Sequence, residues 1–374
     1  MQDRKPPSVA FLFGAGASAR LGYPTVTEFF DRCKTDGFPH YDCEQLWRYI
    51  RILEGRSASE KYPNVNAEAV FSLAEQILDV DKALKIDSGP PPSSHATQRP
   101  GLPTRISPPD LHRRLMEGIV SVYGAMPEQA STVSDPLAEL VKEVHAAAPQ
   151  GRPIWFFTTN YDTVIESSLS AWIADGQEPF DRLRLVTGAA DESPNRLDAA
   201  CFRFSARSGK RLINLVKLHG SATWKRETAD PASAIIETGM RLPTSYDCVL
   251  YFGYKRIPEQ EPFVSLHRLF KRVLLSPVTL VSVGFQFADP FLRELVDLAL
   301  RANDKLTVLC CLRSDPKKGS AVEDLASSHS ARFRLLKDEQ GVLVPFGDKR
   351  FCRTLRGQLG PSATPWRSGR NRLA

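Results

Sequence analysis

Apolar residues along this chain follow two rhythms. Five short runs are apolar at nearly every position and rich in β-branched residues: Val9–Phe13, Ile154–Thr158, Ile213–Leu218, Val278–Val283 and Leu306–Leu312. Runs of that kind predict parallel strands buried on both faces. Helical spacing follows several of them. Thr25 with Glu28 makes a capping box ahead of Phe29 and Phe30. Asp162 is placed to cap a helix carrying Ile165, Leu169, Trp172 and Ile173 on one face. Asp289-Pro290 reads as a cap followed by proline at the first helical position, with Leu292, Leu295 and Leu298 behind it. Strands alternating with helices predict an α/β sandwich.

Residues from about 30 to 150 break the alternation. Val70, Phe71, Ala74, Ile77 and Leu78 form an apolar stripe after Asn66, and we read the stretch as a helical cap over the sheet. Within it, the proline- and serine-rich segment Ser88–Asp110 cannot supply a packed core and is expected to be a mobile loop. A second insertion, about 174–210, is expected to be loop-rich with short strands. Edge strands are expected at Arg332–Leu336 and Val342–Pro345. The predicted organisation is a main domain over 1–320, edge strands and a helix over 321–360, and a basic disordered tail over 361–374.

Composition adds exclusions. With 42% hydrophobic and 25% charged residues, the chain is an ordinary globular one. It shows no leader-like apolar segment and no run long enough to cross a bilayer, so a cytoplasmic protein without a membrane partner is expected. Seven cysteines without a C-x-x-C pair argue against a disulfide framework and a zinc ribbon, and no metal is expected. Arg367, Arg370 and Arg372 read as a solvated tail before a nucleic-acid contact, which stays open.

Candidate chemistry lies at strand ends. Gly14-Ala15-Gly16-Ala17-Ser18-Ala19 fits G-x-G-x-x-A directly after a strand, the Rossmann-like phosphate turn. Gly14 permits the turn, Gly16 would let a phosphate approach, and Ala19 allows close packing. The plain alternative is a glycine turn demanded by packing alone. No acidic residue closes a second strand about 20 residues on, which weighs against a dehydrogenase. Asn160 just past a strand can orient a water or a sugar hydroxyl, or simply make an Asx-turn. His219 ends the run Leu215–Leu218 and is either a satisfied structural histidine or a reacting one, with Gly220 leaving it room.

Taken together, Gly14-Ala15-Gly16-Ala17-Ser18, Thr159-Asn160-Tyr161-Asp162, Leu218-His219-Gly220-Ser221 and Val283-Gly284-Phe285-Gln286-Phe287-Ala288-Asp289-Pro290 occur in the order of the sirtuin superfamily. The chain resembles that superfamily over roughly Val9 to Arg301. Typical deacylases carry two C-x-x-C pairs and a Pro-Asp-Phe-Arg stretch; both are absent, and Thr159 replaces the usual glutamine. The sequence is instead similar to prokaryotic NAD hydrolases of anti-phage defence. That resemblance implies a Rossmann-like parallel sheet with helices on both faces and a helical insertion in place of the zinc module. It implies NAD+ as substrate, split into nicotinamide and ADP-ribose, with no metal. It puts Gly14, Ala15, Gly16 and Ser18 at the pyrophosphate and Asn160 at the ribose or water. Asp162 would be at the nicotinamide carboxamide, His219 would be the general base, and Gly284 and Phe285 would flank the adenosine ribose. Thr159, Gly220 and Ser221 would be flanking contacts. It further implies a homo-oligomer working with a separately encoded sensor, ATPase- or nuclease-type partner. A catalytically quiet NAD or ADP-ribose sensor and an NAD-dependent deacylase are the alternatives.

Overall fold

The computed structural model describes residues 8–359 apart from 20–21, 26, 34–37, 54–65, 89–106, 125–135, 148–151, 177, 191–192, 206–209, 229–234, 238–247 and 253–256. In chain order the first half comprises β1 (Ser8–Phe13), α1 (Ala15–Ser18), α2 (Phe29–Arg32), α3 (His40–Leu53), α4 (Ala67–Ser88), α5 (Pro108–Tyr123), α6 (Pro136–Ala147), β2 (Ile154–Thr158), α7 (Val164–Asp175), β3 (Leu183–Val186), β4 (Ala189–Ala190) and β5 (Ser193–Leu197). There follow β6 (Arg211–Lys217), β7 (Gly220–Arg226), β8 (Ile235–Glu237), β9 (Cys248–Leu250), α8 (Phe263–Leu274), β10 (Val278–Val283), α9 (Pro290–Ala302), β11 (Thr307–Cys311), α10 (Ala321–Ser328), β12 (Phe333–Leu335) and α11 (Phe351–Leu359).

The five apolar runs form the centre of a seven-stranded sheet ordered β12-β11-β10-β1-β2-β6-β3. Every neighbouring pair is parallel. Helices cover both faces. Leu137, Leu140, Val141 and Val144 of α6 pack with Phe11, Phe13, Phe156 and Leu215 on one side. On the other, Leu266 and Phe270 of α8 and Leu292 and Val296 of α9 pack with Leu12, Trp155 and Phe157. The fold is therefore α/β and Rossmann-like. The chain runs from β1 to β2 on one side and returns to β10 on the other, which makes the end of β1 the switch point where such sheets bind ligands.

A second sheet, β4-β5-β8-β7-β9, continues from β6 through a turn at Leu218-His219. Helices α2–α5 rest on it. Phe29, Leu46, Val70, Phe71, Leu115 and Ile119 share one core with Tyr161, Val164, Ala222, Leu250 and Phe252. The helical layer expected over the parallel sheet rests on this second sheet instead, and α6, the last helix of the 30–150 stretch, belongs to the parallel sheet's own flanking layer.

Several expectations need correcting. Leu183–Val186 of the second insertion is an edge strand of the main sheet, too short and half-exposed to announce itself. Val342–Pro345 is no strand; it makes one bridge, Lys337 with Leu343. Leu298 is 45% exposed rather than on the buried face of α9. The proline- and serine-rich segment is ordered at both ends, since α4 reaches Ser88 and α5 starts at Pro108 with Ser107 accepting from the Asp110 amide. Residues 89–106 and the basic tail lie outside the described residues. None of the seven cysteines forms a disulfide. Among the described residues, no helix is long and apolar enough to cross a membrane.

Candidate functional site

Backbone bonds stitch four strand ends together. The Gly14 amide donates to Val283 O at 3.0 Å, the Gly16 amide to Gly284 O at 3.1 Å, the Thr159 amide to Phe13 O at 3.1 Å, and the Leu218 amide to Thr158 O at 2.8 Å. The glycines are required for this closeness. A Cβ on Gly14 would fall 2.7 Å from Phe285 Cα, and one on Gly16 would fall 2.9 Å from Gly284 O. Gly284, at φ +63°, would put a Cβ 2.3 Å from the Ala17 amide nitrogen. The packing explanation for the glycine turn is thus correct in part. The Gly16 amide is already bonded to Gly284 O, and Gly16 itself is exposed on the cavity wall.

Asn160 does not make the local Asx-turn. Its side-chain amide reaches back to the glycine turn, donating to Gly14 O at 3.0 Å and Ser18 Oγ at 2.8 Å. Both amide hydrogens are used, so the carbonyl Oδ1 is what Asn160 can offer a ligand. The Ser18 hydroxyl in turn donates to the Asp162 carboxylate. Ser18 thus links two side chains while itself lining the cavity. The N-cap of α7 is Thr163 rather than the expected Asp162, which sits one position further out and accepts from the Val164 amide at 3.1 Å in an Asx-type turn leading into the helix. Burial pushes its carboxyl upward, opposed by Lys217 and by bonds from Ser18 and Val164. Beneath it, Lys217 donates to Asp162 O and to Glu166 Oε1, the latter at 2.6 Å, forming a buried ion pair.

His219 stands in the turn between the two sheets, its carbonyl held by the Tyr251 amide at 2.9 Å. Its side chain is 1% exposed. Nε2 lies 3.0 Å from Asp289 Oδ2, while Asp289 Oδ1 accepts from the Leu292 amide at 3.0 Å and caps α9. The segment leading to Asp289 passes through two left-handed residues, Gly284 and Phe287 (φ 56°). Nδ1 makes no hydrogen bond and faces Glu68 Oε1 at 3.6 Å. Burial alone would keep this imidazole neutral. The Asp289 bond and the charges of Asp289 and Glu68 outweigh it and push the pKa up to about 9. The site therefore favours the imidazolium form of His219. Its neighbour His267 is driven down to about 4 by burial and by the charge on His219, with Nδ1 donating to Phe263 O at 2.8 Å.

These groups surround a cavity of about 310 Å³. Ala15, Gly16, Ser18, Thr159, Asn160, Asp162, His219, Gly284 and Phe285 all line it. Gly14 lies beneath the turn. Gly220 and Ser221, expected as contacts, do not line the cavity. Gly220 (φ +84°) lets β7 turn back against β9, where a Cβ would meet Val249 O at 2.3 Å. Ser221 is buried beneath the site and bonds Thr223 at 2.9 Å. The sequence reading missed Glu68 and the ligand-facing side of Asp289, both on the wall. An adjoining cavity of about 500 Å³ shares Gly16, Thr25, Gly284 and Gln286 and adds Arg313. Among the described lining residues of the first cavity, the acids are Glu68, Asp162 and Asp289 and no lysine or arginine is present. Such a wall favours a cationic group or developing positive charge.

A parallel sheet with paired cavities at its switch point defines a Rossmann-like fold. Residues 155–333, a little under half of the chain, match the family model described as SIR2-like domain, which supports the sirtuin-like resemblance. Among solved structures, the chain is similar to a Sir2 homologue–NAD complex at 13% identity and TM-score 0.38, covering 94% of this chain and 90% of that one. It is also similar to a mutant Sir2 homologue with 2′-O-acetyl ADP-ribose at 13% identity and TM-score 0.37, covering 96% and 95%. A mutant Sir2 homologue with ADP-ribose follows at 12% identity and TM-score 0.31, covering 86% and 90%. No curated protein matches the chain.

Proposed function

We propose that this protein cleaves the nicotinamide–ribose bond of NAD, releasing nicotinamide and ADP-ribose. The observation that carries this reading is the convergence of Asn160 and the Asp289–His219–Glu68 cluster on one acid-lined cavity at the switch point of a SIR2-like sheet. Nicotinamide in NAD is a pyridinium cation, matched to that wall. It leaves neutral, so the bond opens toward an oxocarbenium-like sugar without acid help.

Asn160 Oδ1 accepts from a ribose hydroxyl. Asp162 meets the carboxamide. The Gly16–Gly284 seam seats the diphosphate and the adenosine ribose, and the cavity beside Arg313 takes the remainder of the nucleotide. His219 is charged in this arrangement. It lies between the carboxyl groups of Asp289 and Glu68 on the cavity wall, and this acid-lined wall favours the developing cation. That differs from the general-base role expected for His219. In the cell the protein would be an NAD-depleting effector of anti-phage defence, released by a separate partner.

The test is chromatography of purified protein incubated with NAD. Nicotinamide and ADP-ribose should appear in equal amounts without an acyl-peptide. Asn160→Ala and His219→Ala, checked for folding by circular dichroism, should each lower turnover by about 10²–10⁴. Near-wild-type turnover in both would refute the site. Tight NAD binding with no product from the wild-type protein would favour a sensor.

A further inference from the structure

A base for the attacking water is missing from the arrangement above. His219 already holds a proton at neutral pH. Asp289 is 2% exposed, with one oxygen on a helix cap and the other on the imidazole. Asp162 is buried and accepts from Ser18 and Val164. Glu68 is different. It lines the cavity, its side chain is 19% exposed, and its Oε1 stands 3.6 Å from His219 Nδ1. Its one side-chain hydrogen bond described here is a long one, from Tyr161 Oη at 3.4 Å.

Its backbone is well anchored. Glu68 occupies the first turn of α4, where Asn66 Oδ1 accepts from the Ala69 amide at 3.1 Å. Its neighbours Ala67, Ala69, Val70 and Phe71 are buried in the core that joins the helical layer to Tyr161 and Phe252. A carboxylate on a fixed element, facing both the cavity and an imidazolium, is pre-positioned for proton transfer.

We propose that Glu68, carried by the helical insertion, is a catalytic residue that takes the proton from the water attacking the ribose C1′. The step rests on the NAD-hydrolase reading. The water oxygen bonds C1′, the C1′–N bond breaks, and its electron pair stays on the nicotinamide nitrogen. The water proton passes to Glu68 and then to solvent, so each turnover yields nicotinamide, ADP-ribose and one proton. The imidazolium charge of His219, 3.6 Å away, attracts the Glu68 carboxylate toward the reaction centre. The helical layer therefore completes the reaction centre rather than only covering it.

The experiment compares wild type, Glu68→Gln and Glu68→Asp for kcat and KM of nicotinamide release, with ADP-ribose affinity by calorimetry. Glu68→Gln should lower kcat by about 10²–10⁴ and keep KM and ADP-ribose affinity within about threefold. Glu68→Asp, which keeps the carboxylate, should retain a measurable fraction of the turnover that Glu68→Gln loses. Wild-type-like kcat in Glu68→Gln, or parallel loss of ADP-ribose binding and turnover, would overturn the assignment while leaving NAD hydrolysis standing. Absence of nicotinamide release from the wild type would remove both.

Discussion

Replacing Asp289 by Asn should flatten the alkaline part of the stability profile. His219 titrates at about 6.5 unfolded and about 9 folded. The native state thus holds its proton more tightly, and that stabilisation is fully present below about pH 6.5. It is lost as pH rises toward 9. At about 1.36 kcal/mol per pH unit, the rise amounts to about 3 kcal/mol. Asn suits the site. It caps helices as well as Asp, so the bond from the Leu292 amide survives, and its amide N–H can donate to a neutral Nε2. With one carboxylate gone, burial dominates and His219 becomes neutral. His145 and His267 are lowered to about 4 and Cys248 and Cys310 raised to about 12, outside the window, while the raised carboxyls of Asp162 and Glu166 are common to both proteins and cancel in the comparison. Urea unfolding at about pH 6 and pH 9 should show wild type losing about 3 kcal/mol and Asp289→Asn losing under about 1 kcal/mol. Equal losses would refute Asp289 as the group that holds the proton.

Two further outcomes follow from the packing. Lys217→Met leaves Glu166 as an unpaired buried charge and should cost about 3–5 kcal/mol, whereas Lys217→Met with Glu166→Leu should recover most of it in urea melts. No recovery would mean Lys217 matters chiefly through its bond to Asp162 O. Gly284→Ala forces a Cβ into the Ala17 amide at a left-handed φ and should destabilise by about 2–3 kcal/mol. An unchanged melting temperature would show that the seam between the glycine turn and the β10 end yields freely.

The central sheet was legible because each of its five strands is buried on both faces and so carries apolar residues at almost every position. Of the two edge strands, Phe333–Leu335 lies within the expected Arg332–Leu336, whereas Leu183–Val186, short and partly exposed, was not legible. The convergence of Asn160 and His219 was legible as strand ends, because a parallel sheet brings its C-terminal ends to one side. The partners of those residues were not. Asn160 bonds to Gly14 and Ser18, more than 140 positions away, and only the register between β1 and β2 brings them together.

Glu68 and Asp289 show why local explanations can hide chemistry. An acid in the first turn of a helix is satisfied by the helix dipole, and an aspartate before proline is satisfied as a cap. Both explanations hold in the structure, and both leave something over. A cap occupies one carboxylate oxygen, and Asp289 Oδ2 is free to meet His219. The dipole fixes no direction for a side chain, and Glu68 is aimed at the same ring by tertiary packing of a helix from another part of the chain. One imidazole between two carboxylates is charged; one carboxylate would leave the competition with burial closer. The charge state of the site, and with it the choice between base and positioning cation for His219, is thus set by a residue of the insertion that motif order alone does not mark.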